Sequence, residues 1–245
     1  MDSELCRYRL VAYFSVSDNT ATVAKNLADA IGADIYKIEP KIPYTSNDLD
    51  WNNPNSRCSV EMRDPSSRPE LNAEYGDLRQ YGVMFLGFPT WMNDAPRIIN
   101  TFLESNKLFG VNIVLFSTSE ESDLSKIAKL LQPHCLTSPI IHGKVFSPDV
   151  SVQDLSDWVN NIKFKCPCCG CYSLDEPIGN YEICEVCFWE NDLLDFLYPD
   201  EQSACNGVSL NQARQNYLKF GASEEDVVDQ VRKPTTEELN PPFID

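Results

Sequence analysis

The stretch from Leu10 to Gly32 constrains this chain more than any other. Leu10-Val11-Ala12-Tyr13-Phe14 is an unbroken apolar run with aromatic and β-branched weight, the mark of a strand buried on both faces. Hydroxyl and amide side chains then crowd Ser15-Val16-Ser17-Asp18-Asn19-Thr20, and Thr22 to Ile31 takes up a helical period that stops at Gly32. A loop between a buried strand and a helix N-terminus directs unpaired backbone N–H groups and the positive end of the helix dipole at one spot, which attracts an anion. Ser15, Ser17, Asn19 and Thr20 add side-chain donors suited to a terminal phosphate. The alternative, on the local sequence alone, is a capped βα turn that holds no ligand.

The same alternation continues. Ala33 to Ile38 reads as a second strand stopped by Glu39-Pro40. Residues 41–80, punctuated by Pro43, Pro54, Pro65 and Pro69, read as a long irregular excursion with one short helix, in which Arg57 and Glu61 have the spacing of a helix-surface ion pair. Gly82–Gly87, Val111–Phe116 and Pro139–Phe146 are three further apolar strands. Helical stripes follow each: Ile98, Ile99, Phe102 and Leu103; then Leu124, Ile127, Leu130 and Leu131; then Val152, Leu155, Val159 and Ile162 after a Ser151–Asp154 cap. Five strands alternating with helices predict an α/β domain over residues 1–163, a doubly wound five-stranded parallel sheet. Ligands of such sheets bind at the carboxyl ends of the strands.

Ser15-x-Ser17-x-Asn19-Thr20 resembles the phosphate loop of the flavodoxins, which bind FMN, and Gly87-x-Pro89-x-Trp91 resembles their second flavin loop. The resemblance implies FMN contacts from Ser15, Ser17, Asp18, Asn19, Thr20, Pro89, Thr90, Trp91, Thr118 and Ser119, with Trp91 offering an aromatic face. The bland reading of Trp91 is a core residue. Asp50–Met62 and Ser67-Arg68-Pro69 are similar to one bacterial flavodoxin-like subgroup. The chain departs from the family pattern at each loop. Asp18 replaces a glycine, Met92 and Asn93 replace small residues, and Glu120 and Glu121 replace glycines. Carboxylates beside a phosphate carrying roughly −1.5 to −2 charges, or beside a reduced flavin, oppose binding and reduction.

At Lys165 the composition changes. Six of the ten cysteines fall between Cys166 and Cys187. Cys166/Cys169 and Cys184/Cys187 are two Cys-x-x-Cys pairs separated by 14 residues, a spacing that lets two knuckles place four thiolates on one metal. Cys168 and Cys171 are alternative ligands, and a disulfide framework is the competing reading. Cys6, Cys58, Cys135 and Cys205 stand alone as ordinary thiols, and His134 and His142 have no evident metal or catalytic partner. Cys166-Pro-Cys-Cys-Gly, Tyr181-Glu-Ile-Cys-x-Val-Cys-Phe-Trp-Glu190, Asn206-Gly-Val-Ser-Leu210 and Val231-Arg-Lys-Pro-Thr235 resemble the cysteine-rich CPCC family, which implies a small metal-knuckle domain over residues 164–245. Phe188, Trp189, Leu193, Leu194, Phe196 and Leu197 are its candidate core, and Ser209 with Gln212, and Ser223 with Asp226, are candidate helix caps. Glu182, Glu185, Glu190, Asp192 and Asp195 read as a solvated acidic face. Zinc is the favoured metal. Cys169-Gly170-Cys171-Tyr172 also resembles a rubredoxin knuckle, which implies iron, but Phe188 stands where the second knuckle would carry glycine.

The formal charge is −17 and uneven: residues 1–164 carry 15 Lys and Arg against 21 Asp and Glu, residues 165–245 carry 5 against 16. That balance argues against nucleic acid and for a basic redox partner protein. Nothing resembles a signal peptide or membrane span, which predicts a cytoplasmic protein without a membrane partner. Three functions compete: an FMN-binding redox and electron-transfer protein, a flavin-dependent oxidoreductase if it is an enzyme, with a structural zinc domain; a protein with rubredoxin-like iron exchanging electrons with FMN; and a flavodoxin-fold scaffold that has lost FMN and binds a protein. No side chain stands out as an acid–base catalyst.

Overall fold

The computed structural model describes residues 8–118 and 123–240. It divides into two compact units, Met1–Trp158 and Val159–Asp245. The division falls a few residues before the compositional change at Lys165, inside the helix Val152–Asn160.

The first unit is a five-stranded, all-parallel sheet. Its strands are β1 (Tyr8–Tyr13), β2 (Asp34–Lys37), β3 (Tyr81–Phe88), β4 (Asn112–Ser117) and β5 (Ile140–Val145), in the order β2-β1-β3-β4-β5. The helices are α1 (Asn19–Ile31), α2 (Arg57–Arg63), α3 (Arg97–Ser105), α4 (Leu124–Leu131) and α5 (Val152–Asn160). β3 is buried along its whole length, as expected of a central strand flanked by two others and covered on both faces. It pairs Met84, Phe85 and Leu86 with Leu10, Val11 and Ala12 on one side and with Ile113, Val114 and Leu115 on the other. Gly87 is obligatory at the top of this strand, because a Cβ there would overlap the Phe116 ring.

The excursion after β2 is closed at its base. Lys41 N–H donates to Glu70 O and Asn72 N–H to Glu39 O, both at 2.8 Å, so the chain leaves the sheet edge and returns antiparallel to itself. It carries a short α-helix as expected, α2, which Ser56 caps by accepting from Ser59 N–H, and before it a 3-10 turn over Asn47–Leu49 that was not expected. His134 pairs with Glu104 at 2.6 Å, and His142 lies against Trp158 with ring centroids 6.0 Å apart.

The second unit is loop-rich. Among the described residues it holds a two-stranded ribbon, β6 (Phe164–Lys165) and β7 (Tyr172–Leu174), three α-helices, α6 (Leu193–Leu197), α7 (Leu210–Phe220) and α8 (Thr236–Leu239), and a 3-10 helix over Glu225–Gln230. Ser209 caps α7 and Gly221 ends it at φ 86, as the sequence predicts. Two expectations fail here. Ser223 caps no helix; it is buried and its N–H donates to Cys187 O at 2.7 Å. Leu194 and Leu197 are exposed, while Asp192 and Asp195 are buried. α6 turns its acids inward because they have neutral donors there: Asp192 accepts from Leu194 N–H, and Asp195 from Ser203 Oγ at 2.8 Å and Asn206 Nδ2 at 2.7 Å.

Candidate functional site

Three loops leave the carboxyl ends of β1, β3 and β4. In the first, Asp18 adopts φ 62, ψ −11, the left-handed conformation that glycine enters without cost. In that pose it makes no side-chain capping bond to α1, and the first turn of α1 contains no acid. The carboxylate therefore does not occupy the helix N-terminus, whose first N–H groups have no intrahelical partner. Ser15 Oγ is buried and has no hydrogen-bond partner among the described residues, a costly state for a hydroxyl that an incoming acceptor would relieve. Thr20 is buried, and its Oγ1 lies 2.9 Å from Thr118 Oγ1, which ties the first loop to the end of β4. Ser17 and Asn19 are exposed. Ser119, with Glu120, Glu121 and Ser122, lies outside the described residues.

The second loop reverses at Met92-Asn93. Trp91 N–H donates to Asp94 O at 2.8 Å and Asp94 N–H to Trp91 O at 3.0 Å, with φ 49 at Met92 and φ 61 at Asn93. Two positive φ values are what such a two-residue turn requires, and they explain why small residues suit these positions. Pro89 and Thr90 are half-buried beside it. Trp91 retains only 6% of its surface in solvent. It packs edge-to-face against Phe14 at 5.5 Å, Tyr44 at 5.2 Å and Trp51 at 5.6 Å.

Tyr44 and Trp51 come from the excursion, and sequence reasoning missed them; aromatic residues in an otherwise polar segment were the available signal. The Arg57–Glu61 pair is more than a surface pair. Arg57 Nε donates to Glu61 Oε1 at 2.6 Å, Tyr44 Oη donates to Glu61 Oε2 at 2.5 Å, and the guanidinium stands 3.9 Å over the Tyr44 ring. Burial and the Glu61 bond push the Tyr44 hydroxyl well above its usual range. Arg97 joins the excursion to the second loop, donating to Asp94 Oδ2 at 2.9 Å and to Met62 O at 3.1 Å. A cleft of about 350 Å³ opens on the β2 side of the first loop, bordered by Ser15, Val16, Lys37, Lys41 and Tyr44.

The second unit brings Cys166, Cys169, Cys184 and Cys187 together, their sulfur atoms all within 4.8 Å of one another. Cys166 Sγ lies 3.6 Å from Cys187 Sγ, and Cys169 Sγ 3.8 Å from Cys184 Sγ. Tetrahedral metal–sulfur bonds of about 2.3 Å require sulfur separations of about 3.8 Å, so the donor set fits one cation. The two knuckles have the same backbone pattern. Cys166 N–H donates to Cys171 O and Gly170 N–H to Cys166 O; Cys184 N–H donates to Trp189 O and Phe188 N–H to Cys184 O. Gly170 has φ 78 and Phe188 φ 66. Phe188 thus takes the glycine conformation, and its identity does not distort the second knuckle.

Cys168 is buried at the tip of the first knuckle, and Cys171 closes that turn with Sγ 3.8 Å from Tyr217 Oη; neither joins the four-sulfur group. Hydrogen bonds from Cys166, Cys169 and Cys187, with a further one from Ser173, pull the Cys184 thiol far below its usual range, while Cys166 and neighbouring Cys184 push Cys169 up. Negative charge on adjacent sulfurs is mutually unfavourable, and a bound cation would offset it. Every described cysteine is a free thiol.

The flavodoxin family model matches residues 8–162, more than half of the chain, and the cysteine-rich CPCC model matches residues 164–238. The protein belongs to the flavodoxin family and carries a C-terminal cysteine-rich CPCC domain. Among solved structures it is similar to a putative flavoprotein of Bacteroides uniformis ATCC 8492, at 40% identity and TM-score 0.60 over 63% of this chain and 98% of that one. A putative flavoprotein of Bacteroides eggerthii DSM 20697 is similar at 41% identity and TM-score 0.58, over 62% of this chain and 95% of that one. No curated protein matches the chain. Among the described residues no helix is long and apolar enough to cross a membrane.

Proposed function

We propose that this protein binds FMN in its flavodoxin unit and serves as a redox or electron-transfer protein, with zinc held structurally by the cysteine-rich unit. The observation that carries the reading is the first loop: an α1 N-terminus that Asp18 leaves uncapped, beside a buried Ser15 hydroxyl with no partner among the described residues. The description of the two Bacteroides relatives as putative flavoproteins supports it. Ser15, Ser17, Asn19 and Thr20 would hold the phosphate with the first N–H groups of α1. Pro89, Thr90, Trp91, Thr118 and Ser119 would border the ring, and Tyr44 and Trp51 would keep water from the Trp91 side. Bound FMN would supply the electron-transfer chemistry, for which the protein sets orientation and potential. The carboxylate of Asp18 weakens anion binding without blocking it.

Cys166, Cys169, Cys184 and Cys187 would hold the metal, contributing stability that a small loop-rich unit lacks. The free thiols fit a reducing compartment such as the cytoplasm, and the acidic surface fits a basic redox partner protein. Iron remains the second reading, favoured by the left-handed Phe188 that makes the two knuckles equivalent. Titration with FMN, followed by flavin fluorescence, tests the first reading. Saturable quenching that Thr20→Val weakens supports it; no quenching by the wild-type chain contradicts it and favours the scaffold alternative. Elemental analysis of the purified chain separates zinc from iron.

A further inference from the structure

Ser173 lies in the middle of β7, the strand that leaves the first knuckle, and is buried. Its Oγ is 3.1 Å from Sγ of Cys184, which belongs to the other knuckle. Pairing of Lys165 with Tyr172 and of Phe164 with Leu174 fixes the strand on both sides of it. A buried hydroxyl left without a partner costs about 1–3 kcal/mol, so its choice of partner is informative. A neutral thiol is a poor acceptor, whereas a thiolate makes a charge-assisted and much stronger bond. The hydroxyl is therefore best satisfied when Cys184 is ionised, as it is on a metal. Four thiolates around a divalent cation also leave two negative charges in a site where three of the four cysteines are buried. A donor to sulfur offsets part of that charge.

We propose that Ser173 is a positioning residue for the four-cysteine site, orienting Cys184 Sγ and raising metal affinity by donating to it. The inference rests on the metal-binding reading above. Its test is a titration of the full-length chain with Co²⁺, read by thiolate-to-cobalt charge-transfer absorption, and a Zn²⁺ competition against a chromophoric chelator. Ser173→Ala should bind either metal about 10–100-fold more weakly. Its charge-transfer band should move to longer wavelength, because a sulfur relieved of its hydrogen bond is a better electron donor. Ser173→Thr and Ser173→Val have the same shape and differ in the hydroxyl alone, so they decide the matter even if the alanine variant folds poorly. Threonine should restore affinity and band position, and valine should not. Equal affinity and band position for threonine and valine would overturn the role of Ser173 while leaving the metal site intact. Absence of thiolate–cobalt bands in the wild-type chain would overturn the metal reading, and this inference with it.

Discussion

At Asp18, Met92 and Asn93, where the flavodoxin resemblance leads one to expect glycine or small residues, the backbone takes left-handed angles of φ 62, 49 and 61. These two loops follow a path that small residues make easy, while carrying charge and bulk. The consequences are separable. Met92 is half-exposed, so its side chain contributes little packing while its backbone bears a steric cost of about 1–2 kcal/mol. Met92→Gly should raise stability by roughly 0.5–1 kcal/mol after the entropy of the unfolded glycine is deducted, read as an increased urea midpoint. A lower midpoint would contradict this. Asp18→Gly removes a carboxylate from beside the phosphate loop as well as relieving the backbone, and should tighten FMN about tenfold, equivalent to ~1.4 kcal/mol. Unchanged or weaker FMN binding would show that the carboxylate does not face the anion. The chemistry of these positions was legible in the sequence; the left-handed angles were not, because sequence shows the residue and not its φ.

The strands and helices of the first unit were legible because each buries one face or two, which leaves a period in the sequence. The excursion was not, because its role depends on Tyr44 and Trp51 reaching Trp91 across some 40 residues of chain, and no period records that. Arg57→Ala should release Tyr44 and Glu61 together, costing about 2 kcal/mol and making residues 41–80 the first site of limited proteolysis. Cleavage at wild-type rates would contradict the clamp. Gly87→Ala should destabilise by about 1–3 kcal/mol, because the added Cβ meets the fixed Phe116 ring. In β5, burial holds the His142 pKa below its ordinary 6.5, with Lys144 adding to the effect. The unfolded chain then takes up the proton more readily, so this contribution to stability is present above pH 6.5 and is lost as pH falls through the folded value. His142→Phe should flatten the fall in urea midpoint between pH 7 and 5.5; an unchanged slope would assign that fall to other groups. The second unit was read less well, with Leu194 and Leu197 placed inside and Asp192 and Asp195 outside. Its interior is built from sulfur, capped turns and hydrogen-bonded acids, which hydrophobic periodicity does not report.

The molecule joins a parallel sheet stabilised by apolar burial to a smaller unit that brings four cysteines, three of them buried, within metal-sharing distance. If the metal supplies the second unit's missing stability, Cys166→Ser with Cys184→Ser should abolish metal content and expose residues 159–240 to proteolysis, while the flavodoxin unit keeps its own unfolding transition. Unchanged metal content and proteolysis would end the metal-site reading. The central claim, however, concerns the first unit: two loops, at Asp18 and at Met92-Asn93, whose left-handed backbone suits glycine or small residues despite the acid and bulk they carry. The most direct test is a visible absorption spectrum of the protein purified without added cofactor, repeated after incubation with FMN and desalting. The account predicts flavin bands that survive desalting and are lost or weakened in Thr20→Val. A colourless protein that releases all added FMN on desalting would contradict it, and would leave the fold as a scaffold without its flavin.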